Sequence, residues 1–135
     1  MHAIKCLLPT LLLFTCLDFI WLGFVGKNLY IDNIGSLLLM NGQTITPRLL
    51  PALGVYILFA IMIWFIVLPL AEQNIALAFA YGALLGLVVY GIYDLTNLAT
   101  LQAWTTKIAL IDSLWGIFIC AMTSGFCAFF NKLMA

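Results

Sequence analysis

Four apolar stretches in this chain are each long enough to cross a bilayer, and they decide which folds are open to it. Crossing a hydrocarbon core of about 30 Å takes roughly 20 apolar residues at about 1.5 Å of helical rise each. The stretches cover about residues 4–26, 49–71, 75–98 and 107–131. Barrel strands alternate polar and apolar residues over about 10 positions, whereas these runs are continuous, so they read as helices. The composition agrees: 66% of the 135 residues are hydrophobic and 7% are charged, against roughly 45–50% and about 25% in an ordinary soluble domain. With five acids and five bases there is no net charge. No basic stripe exists to neutralise phosphates, so no nucleic-acid partner is expected. The expected fold is all-α: an integral membrane four-helix bundle, a single domain over residues 1–135.

The connections differ in kind. Residues 72–74 leave room only for a tight turn, so the second and third spans are antiparallel neighbours. Residues 99–106 form a short polar loop in which Trp104 suits the membrane interface. The first loop, Lys27 to Arg48, is longer. Tyr30, Ile31, Ile34, Leu37 and Leu38 recur there at helical spacing, with Asp32, Asn33 and Ser36 between them. This pattern predicts an amphipathic helix in the interface over about residues 29–40, followed by a loop at Asn41-Gly42-Gln43. A partly buried connecting loop is the alternative. The first span reads as retained: no small-x-small cleavage site follows it, and Thr15 fits a lipoprotein box at Leu13-Phe14-Thr15-Cys16 poorly.

Four spans place both termini and the Glu72 turn on one membrane face, here face A. The long loop and the 99–106 loop then lie on face B. Lys5 and Lys132 on A stand against Lys27, Arg48 and Lys107 on B, too even a division to set the orientation by the positive-inside rule.

Ionisable side chains inside a bilayer cost roughly 2.5–3.5 kcal/mol on insertion scales and mark functional sites by default. Three aspartates qualify. Counting helical rise from the span ends, Asp18 lies roughly 12 Å from face B, Asp112 roughly 7–8 Å and Asp94 roughly 6 Å. All three fall in one half of the bilayer. Asp18 and Trp21 on the first span repeat as Asp112 and Trp115 on the fourth, three residues apart and therefore on one helical face. Because those spans run in opposite directions, Asp18 matches Trp115 in depth and Trp21 matches Asp112. This predicts that the two helices pack together with each carboxylate near the other helix's indole, which needs an acceptor when buried.

The third span adds Tyr90, Tyr93, Asp94, Thr96 and Asn97, and the four-residue spacings Tyr90–Asp94 and Tyr93–Asn97 make one side of its B end polar. Ala78, Gly82 and Gly86 form a small-residue stripe suited to close helix packing. Lys27, Arg48 and Lys107 stand at the B ends, where one could pair with Asp94 or Asp112. On that alternative the polar groups form interhelical bridges that only fix the bundle.

Other signals are weak. Cys6, Cys16, Cys120 and Cys127 lack CxxC spacing and read as small core residues, and His2 reads as incidental. No GxSxG, HExxH, Walker or dinucleotide motif is present. Three aspartates without an Asp-x-x-Asp pair are a poor Mg²⁺ site. No metal, cofactor or catalytic residue is therefore assigned.

The motifs Asp18-x-x-Trp21-Leu22-Gly23, Leu49-Leu50-Pro51-Ala52-Leu53, Tyr93-Asp94-Leu95-Thr96-Asn97-Leu98-Ala99-Thr100 and Asp112-x-x-Trp115-Gly116 resemble the small bacterial membrane proteins grouped as domain of unknown function 2177. The likeness covers nearly the whole chain. It implies a four-helix, multi-pass protein of the bacterial inner membrane, with relatives encoded near lipid-modifying enzymes, and it brings no assigned activity.

The expected function is binding of a membrane lipid or another amphipathic small molecule in a polar intramembrane pocket. Its ligand-binding residues would be Asp18, Trp21, Tyr90, Tyr93, Asp94, Asn97, Asp112 and Trp115, with the loop helix as a lid. The alternatives are a proton- or cation-coupled carrier, for which four helices would need a homodimer; a lipid-modifying enzyme, which lacks an evident nucleophile; and an assembly partner for another membrane protein.

Overall fold

In a computed structural model, which describes residues 2–135, the fourth span is the axis of the bundle. Met1 and the side chain of His2 lie outside the described residues. Among the described residues four helices are long and apolar enough to cross a membrane: Ala3–Val25, Leu49–Ala71, Ile75–Thr100 and Thr106–Leu133. The expected spans agree with these to within two residues at each end. Two of the four contain a wider, π-helical stretch, Trp21–Val25 in the first and Ile63–Val67 in the second.

The third and fourth spans make the closest pair, and the reason is the absence of side chains along their seam. A Cβ on Gly86 would land on the backbone carbonyl of Gly116, and one on Gly82 would meet the Ser124 side chain and the Cys120 carbonyl. Ala78 is fully buried in the same line. The small-residue stripe is thus a packing surface, as its spacing suggests. Its other half, Gly116 and Gly125, takes the rings of Tyr90 and Phe79.

The first span packs on the fourth, as the Asp–Trp repeat predicts, and also touches the second. Phe14 and Phe59 stack at 4.9 Å over Ile119 and Cys120. Nearer face A, Cys6, Ile63, Val67, Leu85 and Cys127 form a second cluster. Three of the four cysteines are buried core residues; Cys16 is instead exposed, on the outward side of its helix.

The turn between the second and third spans carries two left-handed residues, Glu72 (φ 47°) and Gln73 (φ 63°). Asn74 then caps the third span, its side-chain oxygen accepting from the Leu77 N–H at 3.2 Å. The second span packs against the third through its last turns, Ile63–Val67 and Leu68–Ala71. Towards Leu49 the two helices part, and a cleft opens between them.

The helix expected in the first loop over residues 29–40 is present with different bounds. The helix spans Lys27–Ile34, passes into a short 3-10 turn at Gly35–Leu37, and gives way to a small hairpin pairing Met40 with Ile45. Gly42 supplies the positive φ (61°) of its two-residue turn. Tyr30 and Ile34 are buried against Ile108, Trp21 and Trp104. The first two turns of the apolar face are therefore covered by protein, while Leu37 further along stays exposed. The helix's outer tie is polar: the Thr105 hydroxyl donates to Asn33 Oδ1 at 3.1 Å while accepting from the Ile108 N–H at 3.2 Å.

Candidate functional site

The three aspartates converge in the B half of the bundle, held by donors from the second span, the fourth span and the loop helix. Asp18 accepts from the Trp115 indole at 3.3 Å and from the Tyr56 hydroxyl at 2.9 Å. This joins the first, second and fourth spans at one carboxylate. The depth match between Asp18 and Trp115 is realised as a direct bond.

The reciprocal pair is bridged. The Trp21 indole donates to the Tyr30 hydroxyl at 2.9 Å, and that hydroxyl donates to Asp112. Trp21 and Trp115 also stack face to face, 4.6 Å apart and 6° from parallel. Gly26 is needed where the first span ends: a Cβ there would sit 2.9 Å from the Trp21 ring and 3.1 Å from the Tyr30 ring. Burial first, then the charge and hydrogen bond of Asp112, push the Tyr30 phenol above its ordinary value. Tyr30 therefore keeps its proton through the physiological range and is a fixed donor.

Asp94 is fully buried. Its Oδ2 accepts from the Ser113 hydroxyl at 3.2 Å, and its carboxyl neighbours that of Asp112. Trp104, from the 99–106 loop, also reaches the site. It folds inward over Tyr93 in an edge-to-face contact at 5.7 Å, and its buried N–H neighbours Asp94. Tyr93 interacts in turn with Asn97.

The expected cation partners stand elsewhere. Arg48 and Lys107 are exposed, and Lys27 lines a separate polar hollow with Asp32, Asn28 and Gln43. Apart from the contact between Asp94 and Asp112 themselves, the hydrogen bonds reaching the carboxylates come from neutral hydroxyls and the Trp115 indole. Long basic side chains at span ends reach outward to water more cheaply than inward, so closeness in sequence did not become contact.

The cleft between the second and third spans ends at this network. Its B end is a cavity of about 340 Å³ lined by Val55, Phe59, Val89, Tyr90, Tyr93 and Asp112. It continues along the same two helices as an apolar space of about 230 Å³ lined by Val55, Leu58, Phe59, Met62 and Val89. Val55 and Tyr93 are about half exposed at 48% and 55%, so the cleft is open on its outer side.

Of the eight residues expected at the site, Tyr90, Tyr93 and Asp112 line the cavity. Asp18, Trp21 and Trp115 form the network behind it, Asp94 lies beneath Asp112, and Asn97 reaches the site through Tyr93. The loop helix is no lid, since none of its residues lines the cavity. Tyr30, Tyr56 and Ser113 were not among the expected site residues. A signal existed for Tyr56, a lone hydroxyl seven residues into an apolar span, at roughly the depth of Asp18. Among the described residues no group of three His, Cys, Asp or Glu is placed to hold a metal ion.

A family model described as "Predicted membrane protein (DUF2177)" matches residues 3–129 of the chain. No curated protein and no solved structure matches it.

Proposed function

The chain belongs to this DUF2177 family of predicted membrane proteins, and from that premise we propose that it binds a lipid or other amphipathic small molecule in the cleft between its second and third spans. One observation carries the reading: a largely apolar space open on its outer side ends at a carboxylate and two phenols. Asp112, Tyr90 and Tyr93 stand at the B end and only apolar side chains at the other. Such a gradient suits a molecule with one polar end and one apolar end. The network of Asp18, Trp21, Tyr30, Tyr56 and Trp115 has a supporting role, holding the fourth span and hence Asp112 in register with the cleft. The proposed location is the bacterial inner membrane.

The test is to fill the cleft. Val55 contributes to both its parts and is half exposed, so Val55→Trp adds bulk to the cleft without displacing a core residue. Lipid retained by the purified protein, measured by mass spectrometry, is expected to fall several-fold relative to the unsubstituted chain. An unchanged lipid complement in a folded variant would remove the cleft as the binding site.

A second reading, a proton- or cation-coupled carrier working as a homodimer, draws on the clustering of three carboxyl groups. Its measurement is flux into reconstituted vesicles, which Asp112→Asn should abolish; flux that persists in that variant, or never occurs, removes it.

A further inference from the structure

The B end of the cleft is chemically one-sided. Three aromatic rings, Phe59, Tyr90 and Tyr93, line a space in which, among the described residues, Asp112 supplies the sole carboxyl group. Behind it, Asp94 neighbours Asp112, and Asp18 lies within electrostatic reach of both Asp112 and Tyr90. Among the described residues no lysine or arginine lines either part of the cleft. The nearest basic residue along the second span, Arg48, borders an outer hollow that shares only Val55 and its own helix with the cavity.

An anionic headgroup at this end would meet like charge and no cationic donor. A neutral one would leave the carboxylate without a counter-charge at a depth where charge is expensive. A cation would meet a carboxylate and the electron-rich faces of aromatic rings, the arrangement by which proteins recognise alkylated ammonium groups. The fixed donor Tyr30 occupies one oxygen of Asp112, which orients the carboxylate.

Building on the amphiphile reading of the cleft, we infer that its occupant carries a positively charged amine at the polar end. The ammonium pairs with Asp112 among Phe59, Tyr90 and Tyr93, and the hydrocarbon tail lies along Val55, Leu58, Met62 and Val89. The site thus selects by the sign of the headgroup charge.

Equilibrium binding of decyltrimethylammonium, decyl phosphate and decanol to the full chain in neutral maltoside micelles tests this. The three probes share a tail and differ in charge. The ammonium compound is expected to bind about tenfold more tightly than the other two. Asp112→Asn should reduce that preference to less than about twofold while the amide still accepts from Tyr30. Tyr93→Leu, at a half-exposed position, should weaken ammonium binding several-fold and by a larger factor than decanol binding.

Equal affinity for all three probes, or a preference for the phosphate, overturns the amine inference and leaves the cleft as an amphiphile site. Failure of every probe to bind, or binding that Val55→Trp does not diminish, removes the site itself.

Discussion

Replacing Tyr30 by Phe deletes one oxygen and leaves the ring in its pocket against Ile34 and Ile108. That oxygen accepts from Trp21 and donates to Asp112, so both partners lose a bond together. An unsatisfied buried polar group costs about 1–3 kcal/mol, with charged groups at the upper end. Asp112 carries the larger share, and Trp21, which is only half-buried, contributes about 1 kcal/mol or less. Tyr30→Phe is therefore expected to lower unfolding stability by about 2–3 kcal/mol. Asp112→Asn keeps an acceptor but turns a charge-assisted bond into a neutral one, roughly halving its strength. The two substitutions share a bond and should not add: a double-mutant cycle should give a coupling of about 1–2 kcal/mol. Reversible unfolding in mixed micelles, followed by helical circular dichroism, measures each corner. Additivity within about 0.3 kcal/mol would show that Tyr30 does not bridge Trp21 to Asp112, and the account of how the loop helix is anchored would fail.

Linkage gives a second handle on the same bond. The folded phenol is pushed above its ordinary value of 10.0, so the folded chain holds this proton where the unfolded chain begins to release it. The contribution of Tyr30 is fully present below about pH 10 and is lost as pH rises through the folded value. The stability difference between the unsubstituted chain and Tyr30→Phe should thus shrink above about pH 10 and stay level below it. Gly86→Ala forces a methyl group onto the Gly116 carbonyl and should cost about 1–3 kcal/mol. Gly91→Ala, on the same helix with nothing within 4 Å, should cost nothing in the same unfolding assay; equal effects would refute the glycine seam. Tyr56→Phe removes one of the two donors to Asp18 and should cost about 0.6–1.7 kcal/mol, the range of hydrogen bonds between membrane helices.

The spans and the tight turn at Glu72–Asn74 were legible because a bilayer leaves a continuous apolar run few alternatives to a helix. The crosswise placement of Asp18 and Trp115 could be read from depth alone, since helical rise is a ruler common to all four spans. Tyr30 could not be placed this way. Periodicity marks the apolar face of the loop helix but does not say whether that face meets lipid or protein, and Asp112 lies 82 residues further along the chain. The seam was half legible for a related reason. Ala78, Gly82 and Gly86 repeat at a regular interval, whereas Gly116 and Gly125 accept aromatic rings at two separate places. The cleft itself leaves no local mark, because it depends on where two packed helices stop touching.

The hairpin of the second and third spans is closed at Glu72–Asn74 and open near face B, on the side where Val55 and Tyr93 are exposed. Anything lodged between its arms is therefore contiguous with the surrounding leaflet and reaches its seat by two-dimensional diffusion, without passing through water. Occupancy then follows the mole fraction of the molecule in the membrane, and shortening its tail weakens it twice, once by partition into the leaflet and once by contact with the arms.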